Sequence, residues 1–133
     1  MNINLSELSS NKVYHTMTQT VVPRPVAWVL SEHENGKLNL APFSYFNAVC
    51  SNPPVVMMSI GRKPDGSDKD TFRNIVERKK FVIHLAHPEL APQMTKSAKV
   101  LPDGESELEL VGMDTVAFEG FELPRLKDAR IAF

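Results

Sequence analysis

Residues Val26 to Phe46 read VAWVLSEHENGKLNLAPFSYF, two apolar stretches on either side of a short polar turn. Prolines stand at 23 and 25, just before the first stretch. Proline is confined to strand starts and edges, so a strand is expected from about Val26 to Ser31. Asn35-Gly36 is the strongest hairpin signal in the chain, because both residue types accept positive φ. Leu38 to Phe46 resumes an extended pattern, broken at Pro42. The expectation is an antiparallel pair at the heart of a β-rich domain.

The flanking sequence extends this pattern. Pro54 to Ile60 is a continuous apolar run of strand length, as expected of a strand buried on both faces, with Met57 and Met58 as core filler. Pro64-Asp65-Gly66 marks a turn. Asp70 or Thr71 then caps a helix to about Lys79 whose apolar face is Phe72, Ile75 and Val76. Phe81 to Ala86 reads as the next strand, and Leu90 to Lys99 as a short helix with Pro92 in its first turn. Beyond the Pro102-Asp103-Gly104 turn, Leu108 to Val111, Thr115 to Phe118 and Ala129 to Phe133 read as short strands. Ten prolines argue against any long helix. Many short strands and two helices make a mainly β, α+β, barrel-like architecture in one domain, residues 1–133.

Composition narrows the function classes. The 133 residues include 15 basic and 16 acidic side chains, a formal net charge of −1. That balance excludes nucleic-acid binding by bulk electrostatics. No apolar run approaches the ~20 residues of a membrane span, and the polar start lacks the pattern of a signal peptide, so the expectation is a cytoplasmic protein. Cys50 is alone, which excludes an intrachain disulfide or a cysteine-based zinc cluster; it reads as a small buried hydrophobe.

Charge is unevenly spread. Between Gly61 and Lys80 stand seven basic and four acidic residues; between Leu101 and Pro124 stand seven acidic residues and no basic one. The acidic block reads as a solvated face, whereas the basic block lies beside turn and helix-start signals, where donors meet a small anion. Dinucleotide fingerprint, phosphate-cradling loop and glycine-flanked serine nucleophile are all missing. His15, His33, His84 and His87 lack metal-ligand spacing and read as packed or surface residues, so no metal site is expected.

Two segments suggest chemistry. Asn39 to Ser51 mixes small polar residues with aromatics, as the wall of a site for a flat heteroaromatic ring would. Arg62 and Lys69-Asp70-Thr71 place cations and a hydroxyl at a helix start, where backbone N–H groups and the helix dipole favour phosphate. An ordinary barrel wall followed by an ordinary helix would read similarly.

Further motifs carry a resemblance. Pro23-Arg24-Pro25-Val26-Ala27-Trp28-Val29, Asn39-Leu40-Ala41-Pro42-Phe43-Ser44-Tyr45-Phe46-Asn47, Pro53-Pro54-Val55-Val56, Ser59-Ile60-Gly61 and Lys69-Asp70-Thr71 with Asn74 together resemble the flavin reductase-like family of FMN-binding split barrels. The resemblance implies a split β-barrel homodimer with short flanking helices that binds FMN non-covalently near the subunit interface. It implies that Asn47, Ala48, Val49, Cys50 and Ser51 line the isoalloxazine edge, with a backbone N–H near Ala48 or Val49 directed at the ring. Ser44, Arg62, Lys69 and Thr71 would hold the phosphate, with Asp70 helping to cap the helix. Arg24 and Trp28 would have structural or near-flavin roles.

The implied activity is an NAD(P)H-dependent flavin reductase, an oxidoreductase passing hydride from nicotinamide to flavin N5 with no catalytic side chain of its own. The alternatives are a flavoredoxin-like electron carrier, and a non-catalytic barrel that binds a partner protein or sequesters flavin. Two departures from the family stand out. Cys50 replaces a small residue, which leaves open a redox-sensitive thiol, and the chain stops where members commonly continue with further strands.

Overall fold

The computed structural model of the chain describes residues 2–133. The chain runs through α1 (Ser10–Thr20), β1 (Ala27–Glu32), β2 (Leu38–Phe43), β3 (Phe46–Ser51), β4 (Pro54–Met58), α2 (Asp70–Arg78), β5 (Val82–Leu85), α3 (Ala91–Lys96), α4 (Glu107–Val111), β6 (Thr115–Val116), β7 (Arg125–Leu126) and β8 (Ile131–Ala132). Strands β2-β1-β5-β8 form an antiparallel sheet in that order, while β3 pairs with β4 and β6 with β7.

β1 is the strand buried on both faces. Ala27, Trp28, Val29 and Leu30 have no exposed surface. Side chains alternate across a strand, so Trp28 and Leu30 enter one cluster with Leu40, Val82, Leu90 and Leu126. Ala27 and Val29 enter another, with Phe43, Phe46 and Ile83. Proline is tolerated at Pro42, opposite Trp28, because β2 is an edge strand paired on one side only.

The β1–β2 hairpin forms as expected, by a different turn. Its register closes at Glu32 and Leu38, leaving five residues in the loop. The Gly36 N–H donates to the His33 carbonyl (3.0 Å) and the His33 N–H to the Lys37 carbonyl (2.9 Å). Gly36 alone takes positive φ, at 80°; Asn35 instead accepts the Lys37 N–H on its side chain at 3.0 Å. A two-residue turn with both central residues at positive φ is thereby replaced by a longer one closed by a single glycine.

Four other expectations need correction. Leu108–Val111 belongs to helix α4, not a strand: Ser106 Oγ accepts the Glu109 N–H (3.3 Å), and Gly112 ends the helix at φ 67°. The Ser106-x-x-Glu109 spacing is the overlooked signal. The start of α4 also covers the free edge of β2, where the Leu40 N–H donates to Glu107 Oε2 (3.1 Å) and Ser106 Oγ donates to the Leu38 carbonyl.

The Pro54–Ile60 run is not a doubly buried strand. β4 has only β3 as neighbour, and Val55, Val56 and Met57 are exposed, while Met58 and Ile60 pack against the second cluster. Cys50 is exposed rather than buried. On α2, Phe72 and Val76 face outward, whereas Asp70, Thr71 and Asn74 are buried.

Helix α1 has no counterpart in the sequence reading. Ser9 caps it by accepting the Lys12 N–H, and none of its residues is buried. The Arg24 guanidinium donates to the Thr18 carbonyl (2.9 Å) and to that of Val21, closing the C-terminal end of α1, and lies 5.8 Å from the Tyr45 ring centroid. Arg24 and Trp28 thus both have structural roles. At the other sheet edge, Phe133 and Ile83 exchange two backbone hydrogen bonds of 2.9 and 3.0 Å.

Candidate functional site

A cleft of about 410 Å³ opens between β2, the start of α2 and the link from α3 to α4. β2 supplies Asn39, Ala41, Pro42 and Phe43. The approach to α2 supplies Arg62, Lys63 and Pro64, and the helix start Lys69, Asp70 and Thr71. Ser97 to Leu101, Tyr14 and Glu107 complete the wall. Another depression, of about 450 Å³, is lined by His33, Asn35, Arg73, Glu77 and Asp103, but its Arg73 is already held by Asp70 and Asp103. The first cleft combines apolar walls with unpaired cations, and is the one suited to an anionic, ring-bearing ligand.

The charge blocks neutralise one another more than their sequence spacing suggests. Lys63 sits between Asp70 (3.1 Å) and Asp103 (2.5 Å), and Arg73 spans the same two carboxylates. Lys80 pairs with Glu122 and Lys37 with Glu105 (3.0 Å). Asp103, Glu105 and Glu122 of the acidic block therefore serve as counter-ions, so the block is not merely a solvated face. Hydrogen bonds from Lys63 and Arg73 pull the Asp103 carboxyl down to about 2.

What this pairing leaves at the cleft is Lys69 and Lys99, with Arg62 only loosely held. Lys69 has no carboxylate within 4.0 Å among the described residues, and its Nζ lies 5.8 Å from the Phe43 ring centroid. Arg62 is only loosely engaged, 3.7 Å from Asp68, with most of its side chain exposed.

Lys69 also occupies the cap position of α2 in extended geometry (φ −68°, ψ 149°), and no side chain caps this end. The first-turn N–H groups thus lack an intrahelical acceptor, and with the dipole they favour an anion. Asp70 does not cap the helix, contrary to expectation. It is the first helical residue, and its carboxylate serves Lys63 and Arg73. Thr71 is buried: its Oγ1 accepts from Asn39 Nδ2 (2.9 Å), which also donates to Ser31 Oγ (3.1 Å). Asn74 Nδ2 donates to the same Ser31 hydroxyl at 3.1 Å. This buried network explains why α2 turns a polar face to the sheet, since each buried polar group finds a partner there.

The expected site residues fall into two groups. Arg62, Lys69, Asp70 and Thr71 meet at the cleft. Asn47, Ala48, Val49, Cys50 and Ser51 lie on exposed β3 and do not line it, and half-buried Ser44 stands in the bend before β3. The β3–β4 register slips between Ala48 and Cys50, so Val49 is an extra residue bulged out of the ladder. Tyr14, Ser97, Lys99 and Glu107 are cleft residues the sequence did not reveal.

Other titratable groups are accounted for structurally. His84 is fully buried: its Nδ1–H donates to the Trp28 carbonyl (3.0 Å), and its Nε2 accepts the Leu126 N–H (3.0 Å). Burial holds its pKa below the usual imidazole value, so the ring is neutral. Burial also raises the Glu107 carboxyl. Among the described residues, no group of three or more His, Cys, Asp or Glu is placed to hold a metal, and no helix is long and apolar enough to cross a membrane.

Comparison with known proteins agrees with this architecture. The model of the flavin reductase-like domain matches residues 17–133. An uncharacterized protein of Halalkalibacterium halodurans is 38% identical over 131 residues, 98% of this chain and 63% of its own. The crystal structure of nitrilotriacetate monooxygenase component B from Bacillus cereus superposes with a TM-score of 0.92 at 39% identity, covering 99% of this chain and 65% of that one. A protein from Shewanella frigidimarina with a split barrel domain shares the fold at 21% identity and a TM-score of 0.82, covering 100% of this chain and 66% of that one. This chain thus spans just under two thirds of the length of each of these three proteins.

Proposed function

Since the chain belongs to the flavin reductase-like family, we propose that it is an FMN-binding oxidoreductase that takes hydride from NADH or NADPH. The observation that carries this reading is the uncapped start of α2, with Lys69 and Arg62 beside it, opening on a cleft walled by Phe43, Pro42 and Tyr14. These residues fit a phosphate joined to an aromatic group. When bound, the flavin itself supplies the hydride-accepting and electron-passing chemistry.

The protein's part is to bind and orient. Lys69, Arg62 and the first-turn N–H groups of α2 hold the phosphate. The bulge at Val49 frees backbone groups of β3, on the hairpin that follows β2, to meet the edge of the ring. No acid–base constellation is required. The apolar outer surface of the hairpin (Val49, Val55, Val56, Met57) supports a homodimer in which a second copy covers it.

Steady-state oxidation of NADH and of NADPH, with and without added FMN, tests the activity. FMN-dependent turnover with either nucleotide is expected. Tight FMN binding with no turnover would instead identify an electron carrier. No FMN binding at all would leave the non-catalytic barrel.

A further inference from the structure

Among the described residues, five basic side chains have neither a carboxylate within 4.0 Å nor a hydrogen bond to a backbone carbonyl: Lys12, Lys69, Lys79, Lys96 and Lys99. Two of these, Lys69 and Lys99, line the same cleft, although they come from segments 30 residues apart in the chain. The segment carrying Lys99 is anchored at both ends. Ser97 Oγ accepts the Trp28 indole N–H (2.9 Å) in the core. Asp103 is gripped by Lys63 and Arg73, and the Gly104 carbonyl accepts from Asn35 Nδ2 (3.1 Å). Lys63 holds Asp70 as well, so one ammonium ties this segment to the start of α2. The backbone of a segment pinned in this way has little conformational freedom left to lose when its lysine meets an anion, so the ordering cost is confined to the side chain.

We propose that Lys99 is a specificity-determining residue of the cleft, adding a second free ammonium opposite the phosphate end of the ligand and so separating phosphorylated from unphosphorylated forms of one compound. This rests on the reading of the cleft as a flavin phosphate site. Lysine contributes here as a point charge on a flexible stem, which needs no fixed hydrogen-bond geometry. Glu107, buried at the same cleft and already accepting the Leu40 N–H, disfavours a phosphate close to it and so keeps that group near the lysines.

The test compares wild type, Lys99→Met and Lys96→Met, titrated with FMN and with riboflavin by quenching of flavin fluorescence. Methionine keeps the apolar stem, and Lys96 is a free lysine that does not line the cleft. The dissociation constant for FMN should rise about five-fold in Lys99→Met, the loss expected of one exposed charge-assisted contact. It should be unchanged in Lys96→Met, and riboflavin binding should be the same in all three. An unchanged FMN constant in Lys99→Met, or an equal loss for riboflavin, overturns the proposal. Should wild type bind neither flavin, the melting temperature in inorganic phosphate decides. A rise in wild type that Lys99→Met lacks keeps the anion role and removes the flavin reading; no Lys99-dependent rise removes both.

Discussion

Strands β1 and β4 each carry an unbroken apolar run, Ala27-Trp28-Val29-Leu30 in one and Val55-Val56-Met57-Met58 in the other, yet their surroundings are opposite. β1 lies between β2 and β5 with its four apolar residues fully covered. β4 has one partner, and Met57 keeps 58% of its surface exposed. An apolar run reports that a segment is suited to a sheet; how many neighbours cover that sheet depends on residues far away in the chain. For β1 those are Val82 and Ile83 on β5, Leu90 before α3 and Leu126 on β7. For β4 no comparable cover exists among the described residues.

This contrast can be broken most sharply at Trp28. Trp28→Ala removes the largest fully buried side chain and the indole bond to Ser97, and should cost about 3–5 kcal/mol in urea unfolding. A cost near 1 kcal/mol would mean that β1 is not the centre of the core.

A smaller effect is expected where α4 covers the β2 edge. Glu107→Ala leaves the Leu40 N–H buried without an acceptor and should cost about 1–3 kcal/mol. Glu107→Gln keeps an acceptor and removes a charge. Because burial raises the folded carboxyl above its unfolded value of 4.5, the wild-type group stabilises most below that pH and loses this contribution as pH rises through the folded value. The stability of Glu107→Gln relative to wild type should therefore increase from pH 4 to pH 8 in denaturant titrations. A constant difference would place the carboxylate in solvent.

The smallest expected effect sharpens the other side of the comparison. In an isolated chain Met57→Ser should change stability by no more than about 0.5 kcal/mol, as at an ordinary surface position. A loss of several kcal/mol that depends on protein concentration would show the hairpin buried against a second copy, and its apolar residues would then have the cover that β1 finds within one chain.

The sequence revealed most where independent signals agreed. At β1 and β2 an apolar run, a Gly-containing turn and an edge proline all specify one hairpin. The signals conflicted at α4, where Leu108 to Val111 suits a strand and only the Ser106–Glu109 spacing marks a helix. Helix α1 was hidden because Val13, Thr16, Thr18 and Thr20 are poor helix formers, and none of its residues is buried in the core. The polar face of α2 was hidden for another reason: buried Thr71 and Asn74 are intelligible only beside Asn39 and Ser31. In the cleft, Lys69 and Arg62 were legible because a helix start favours anions from local geometry alone. Tyr14, Lys99 and Glu107 reach the same cleft from three distant segments, a juxtaposition that only the folded chain displays.

The most direct test of the account is an equilibrium titration with FMN, followed by the visible spectrum after desalting, for wild type and Lys69→Glu. The account predicts a flavin spectrum retained by wild type and an affinity at least ten-fold weaker in the variant, since one free cation at the uncapped α2 terminus becomes an anion. Equal FMN retention by both proteins would show that the phosphate is held elsewhere, and would contradict the assignment of this cleft.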